Sequence, residues 1–109
     1  MPRISTAFVE FRALLARHVR ELEQAYPDRY STAWFFLRYL KRVQRQAEGP
    51  TPRACDRAMR GLVRFYCDMA DSEQALAERF DEVYFAHRNA VLLEQRAERR
   101  ASRRGEKRL

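Results

Sequence analysis

The sequence predicts an all-α, up-and-down four-helix bundle. Three observations carry that expectation. Apolar residues recur in steps of three and four along four segments. The 109 residues contain only three Gly and four Pro, which leaves room for a few long elements and few turns. Where the periodicity fails, Pro or a capping residue stands at the break. Short connections between amphipathic helices favour antiparallel neighbours. An apolar share of 46%, rich in aromatics, suffices for one core at this length without disulfide or metal staples.

The first helix is expected over residues 5–25, where Phe8, Phe11, Leu15, His18, Leu22 and Ala25 draw one seam that Val9 and Val19 widen. Tyr26-Pro27-Asp28 ends it, because proline lacks a backbone donor and disfavours a helical residue before it. The second helix spans 31–47, opening at Ser31 or slightly earlier with Asp28 as cap. It buries Ala33, Phe36, Leu37, Leu40, Val43 and Ala47. Glu48-Gly49-Pro50-Thr51-Pro52 is the strongest punctuation in the chain. Gly49 suits the left-handed position past a helix end, Thr51 suits a cap, and Pro52 suits a first turn. The third helix, 52–70, buries Cys55, Ala58, Met59, Leu62, Tyr66 and Met69. Asp71 and Ser72 offer the next cap, Asp71 standing at capping-box spacing from Gln74. The fourth helix, 72–95, buries Leu76, Phe80, Val83, His87 and Val91, with Tyr84 on its flank. Residues 1–95 therefore form a single helical domain. Residues 96–109 form a basic C-terminal tail, either a helical extension or a disordered end, fraying as the apolar pattern fades.

No internal repeat is visible. The second and third helices are both long and nothing marks a short recognition helix, so they read as a helical hairpin rather than a helix-turn-helix. The first helix is also free to swap onto a second copy.

The formal net charge is +7, unevenly spread. Residues 28–64 hold nine cations against three anions, and residues 94–109 hold seven against three. Residues 65–93 reverse the sign, with six anions against two cations. Twenty of the 22 cations are Arg, the exceptions being Lys41 and Lys107. A GC-rich genome produces such a bias by itself, so placement has to carry the argument. Arg53, Arg57, Arg60 and Arg64 stay within an arc of roughly 60° on the third helix, and Arg38, Lys41, Arg42 and Arg45 within roughly 100° on the second. Both lines lie opposite their apolar seams. Ordinary solvated faces mix acids and bases at i, i+4; here only Glu48 and Asp56 interrupt the run from Lys41 to Arg64. Trp34 falls on the cationic side one turn before Arg38, with Phe35 beside it. Aromatics next to arginines can stack unpaired bases while the cations hold the backbone. The alternative for Trp34 is that it covers the Tyr26–Tyr30 turn or sits in a subunit interface. Arg99, Arg100, Arg103 and Arg104 in the tail would add nonspecific affinity.

These features point to a nucleic-acid-binding accessory subunit or regulator. It would hold the phosphate backbone, single strands preferred, with little sequence specificity because no base-reading motif is present. The alternative is a protein-interaction module (an inhibitor, adaptor or chaperone) that docks its basic face on an acidic partner, a second copy included.

Catalysis finds no foothold: there is no Gly-rich phosphate loop, no Ser/His/Asp set and no coordinated carboxylate pair. His18 and His87 fall on seams without further ligands at workable spacing, so they read as hydrogen-bonded core histidines, and no metal or cofactor is expected. Cys55 and Cys67, twelve positions apart on one helix, stand roughly 18 Å from each other and should be free thiols. That suits a reducing cytoplasm. The start of the chain lacks the apolar stretch of a signal peptide, and the longest apolar run, Ala33 to Leu37, is too short to span a membrane.

Overall fold

The computed structural model describes residues 4–69 and 73–107, with side chains through residue 103. It is all-α, with helices α1 (Thr6–Gln24), α2 (Thr32–Gln46), α3 (Asp56–Asp68) and α4 (Gln74–Lys107), and a 3₁₀ turn at Pro52–Cys55 leading into α3. The expected cap at Asp71 and Ser72 lies outside the described residues.

Helix starts follow local chemistry. Ser5 Oγ accepts from the Phe8 N–H at 3.1 Å, and Ser31 Oγ accepts from the Trp34 N–H at 3.2 Å. Each satisfies one of the four donors a helix N-terminus leaves open. Ser31, not Asp28, is thus the cap of α2; the Asp28 carbonyl instead accepts from the Ser31 N–H at 2.9 Å and closes a turn.

The third helix begins differently from its expectation. Thr51 precedes the 3₁₀ turn but makes no side-chain cap bond. Gln46 supplies that function from across the hairpin, its Oε1 accepting from the Ala58 N–H at 3.0 Å. Gly49 is not left-handed either, since no glycine has a positive φ. The end of α2 is closed by Arg12 of α1, whose Nε donates to the Ala47 carbonyl at 2.6 Å and whose Nη2 donates to the Gly49 carbonyl at 2.7 Å. A cation placed on the last carbonyls also complements the helix dipole.

The seams meet in one core. Phe8, Phe11, Leu15, Phe36, Leu40, Val43, Leu62 and Val83 are essentially sealed from solvent. Expectation and structure part at the margins. Val9 and Ala25 of α1 are exposed, Met69 is exposed, and Ala90 rather than Val91 is the buried residue at that level of α4. α1 packs against both α2 and α4, and α2 packs against α3, whereas α3 and α4 touch only sparingly. His18 meets Glu82 and Phe11 meets His87, so α1 and α4 run antiparallel.

α4 is the largest departure. It does not stop near residue 95 but continues as helix to Lys107, 34 residues or about 51 Å. The molecule is accordingly elongated, 59 × 24 × 18 Å. No described helix is long and apolar enough to cross a membrane.

Candidate nucleic-acid interface

The α2–α3 hairpin brings part of the two cationic lines together. Its register is set by the Gln46–Ala58 bond at one end and by aromatic packing at the other, where Tyr39 stacks on Phe65 with centroids 4.8 Å apart. The Tyr39 ring lies over α3 at Gly61, 3.6 Å from where a Cβ there would stand. Between the helices remains an open cleft of about 470 Å³, floored by Tyr39, Ala58 and Gly61 and walled by Arg42, Arg45 and Arg57, with Gln46 at its end. Arg42 stands over the Tyr39 ring at 5.2 Å, which fixes its guanidinium at the rim.

The eight cations do not form one sheet of charge. Arg53, Arg57, Arg60 and Arg64 are all exposed; Arg53 stands on the 3₁₀ turn, and α3 presents the other three as a ridge with a groove on each side. Arg57 faces the α2 cleft, whereas Arg60 and Arg64 face a second groove of about 600 Å³ against α4. That groove is floored by Met59, Val63 and Tyr84 and closed by Asp56 and His87. Two of the eight are held by acids: Lys41 Nζ lies 3.4 Å from Glu23, and Arg53 donates to Glu98 of α4 at 3.1 Å. Both pairs are exposed, where such contacts contribute about 0–1 kcal/mol. Arg38, Arg42, Arg45, Arg57, Arg60 and Arg64 have no carboxylate partner among the described residues.

Trp34 is half-buried and already engaged. Its ring meets Tyr30 edge-on at 5.1 Å and Phe35 at 4.9 Å, and the Arg38 guanidinium lies over it at 4.8 Å. These contacts place it against the turn before α2, with the Arg38 guanidinium over its ring. The residues that sequence reasoning passed over are Tyr26 and Tyr30 in that turn, 86% and 64% exposed. Both have positive φ, 46° and 67°. A tyrosine gives no sequence signal of a left-handed backbone.

In the tail, Arg96, Arg99, Arg100 and Arg103 recur at i, i+3, i+4 and i+7 on the projecting part of α4 and line one shallow hollow. The Arg104 side chain lies outside those described. Arg53, Gln95, Glu98 and Arg99 join this segment to the bundle, so the basic tail begins where the hairpin's turn ends. Burial raises the nearby Glu94 carboxyl, an effect that Arg53 partly offsets.

The histidines are buried, and they do not pair with each other. His18 Nδ1 accepts from Arg79 at 2.8 Å while Nε2 donates to Glu82 at 3.0 Å. Burial pulls its pKa below 6.5, against the pull of Glu82, and the Arg79 donor leaves Nδ1 no room for a second proton. Arg79 also reaches Glu21 at 2.7 Å and lowers that carboxyl. His87 Nε2 donates to the Pro52 carbonyl at 2.9 Å, tying α4 to the 3₁₀ turn. Among the described residues no group of three His, Cys, Asp or Glu could hold a metal ion. Cys55 and Cys67 are both free; burial pushes the Cys55 thiol up to about 11, so it stays protonated.

No protein-family model, curated protein or solved structure matches the chain.

Proposed function

We propose that this chain is a small nucleic-acid-binding accessory subunit or regulator that holds the phosphate backbone of a single strand with little sequence specificity. The observation that carries the reading is the α2–α3 cleft, where Arg42, Arg45 and Arg57 converge without a carboxylate partner among the described residues. Three planar guanidiniums around a concave floor suit bidentate contacts to phosphate oxygens. The sequence carries no base-reading motif, so positioning contacts dominate. We assign the protein no catalytic role, and its two free thiols agree with a cytoplasmic setting.

The test is fluorescence anisotropy with labelled single-stranded DNA and RNA over a salt series. Binding should weaken steeply with salt, by about 0.7 in log–log slope for each phosphate contacted. Arg42→Glu/Arg57→Glu should lower affinity at least tenfold with unchanged helical circular dichroism. Affinity equal to the parent's would sink the proposal.

A second reading rests on the other groove. The apolar floor of Met59, Val63 and Tyr84, rimmed by Arg60 and Arg64, fits an acidic protein helix better than a bare phosphate chain. A stoichiometric acidic partner released by Arg60→Glu/Arg64→Glu, and not by the cleft variant, would favour it.

A further inference from the structure

The connection between α1 and α2 carries two backbone conformations that its residues do not favour. Tyr26 follows the C-cap of α1, its N–H donating to the Glu23 carbonyl at 3.1 Å, and has φ 46°. Tyr30 is the third residue of the Asp28–Ser31 turn and has φ 67°. At both places glycine or asparagine is the ordinary occupant, because a left-handed backbone drives Cβ against the following carbonyl. The chain instead places its largest phenols there.

Core packing does not account for them. Tyr26 is 86% exposed and makes no ring contact among the described residues. Tyr30 is 64% exposed, buttressed edge-on by Trp34 and flanked by the Arg29 guanidinium at 5.1 Å from its centroid. From Tyr30 an aromatic row leads to the arginine cleft: Phe35 at 6.2 Å, then Phe65 at 6.5 Å, then Tyr39 at 4.8 Å, which is the cleft floor. Arg38 lies over Trp34 beside this row. One acid, Asp28, stands in the connection against Arg29 and Arg38.

We propose that Tyr26 and Tyr30 form a base-stacking subsite, taking unpaired nucleobases of the strand whose phosphates Arg42, Arg45 and Arg57 hold. This rests on the nucleic-acid reading above and adds a ligand group to it, the exposed π-face of a nucleobase. A phenol face accepts any base, so the subsite adds affinity for single strands without adding sequence preference. Bases in a duplex are already stacked and paired, so the subsite discriminates against double strands.

The test uses the full chain, a labelled twelve-residue oligothymidylate and a duplex of the same length. Tyr26→Gly/Tyr30→Gly relieves both left-handed positions while deleting both rings. Its affinity for the single strand is expected to fall at least tenfold, with an unchanged salt slope, because a phenol carries no charge. Affinity for the duplex is expected to stay within twofold of the parent. Tyr26→Phe/Tyr30→Phe keeps the ring faces and should restore single-strand binding. Tyr26→Gly alone should raise the Tm, since that ring packs on nothing, which separates lost binding from lost folding. Parental single-strand affinity in the glycine variant overturns this subsite and leaves the arginine cleft standing. A parent chain that binds neither oligonucleotide overturns both readings.

Discussion

Gly49 and Gly61 stand on the same hairpin, and only Gly49 is held to glycine by its surroundings. A Cβ on Gly49 would meet the Ala54 Cβ at 2.9 Å and the Gln46 carbonyl oxygen at 3.2 Å. Arg12 pins the carbonyls of Ala47 and Gly49, so the turn has little freedom to shift. Gly49→Ala is therefore expected to cost about 1–3 kcal/mol, as other overpacked sites do. A Cβ on Gly61 would meet the Tyr39 ring at 3.6 Å, ordinary contact distance. Gly61→Ala should therefore gain about 0.5–1 kcal/mol from helix propensity and lost unfolded-state entropy. Urea denaturation checks the pair: the midpoints should move in opposite directions from the parent's. At this scale the sequence marked Gly49 as special but assigned it the wrong cause. Its need is close backbone approach across a turn, which depends on where Ala54 lands and is invisible to local propensity.

Between elements, a pH-dependent contact joins α1 to α4. His18 is held neutral there, accepting from Arg79 and donating to Glu82, and burial lowers its pKa from the unfolded value of 6.5. Above pH 6.5 neither folded nor unfolded state binds the proton, so this group leaves stability flat. As pH falls below 6.5 the unfolded chain takes up a proton that the folded chain refuses, and stability declines until the folded pKa is passed. Glu21, lowered by Arg79, acts in the same direction but only as pH falls through the carboxylate range, below about 4.5. Thermal melts between pH 7.5 and 5 should thus show a falling Tm, and His18→Gln should flatten that slope. An equal slope in both proteins would contradict the assignment. The helices themselves were largely legible, because steps of three and four at Phe8, Phe11, Leu15 or Phe36, Leu40 and Val43 are local facts. Residues 96–107 were legible only as a basic tail, helical or disordered, since the apolar periodicity that marks a packed helix fades there. Their Ala, Arg, Glu and Lys are strong helix formers that need no seam to stay helical. The division of the α3 arginines between two grooves was equally hidden, because it depends on how sparingly α3 and α4 pack.

For the molecule as a whole, the extended α4 changes the shape of the basic surface. Arg53 pairs with Glu98 where the hairpin turns, and on either side of that point α4 carries Arg96, Arg99, Arg100 and Arg103 on one face. Like charges at i, i+4 destabilise a helix by a few tenths of a kcal/mol each, so this face gains nothing locally from its composition. A polyanion lying across both the cleft and the tail would gain from every one of them. Arg96→Gln/Arg99→Gln/Arg100→Gln/Arg103→Gln keeps helix propensity and the Arg53–Glu98 pair while removing four charges. Its Tm should stay close to the parent's, because the four side chains are exposed. If each arginine meets one phosphate of a single strand, the log–log salt slope should shrink by about 3, at about 0.7 per contact. A short oligonucleotide that fits the cleft alone should show no such change, whereas one long enough to reach the tail should show all of it. Equal slopes at both lengths would confine binding to the hairpin and leave the tail outside the interface.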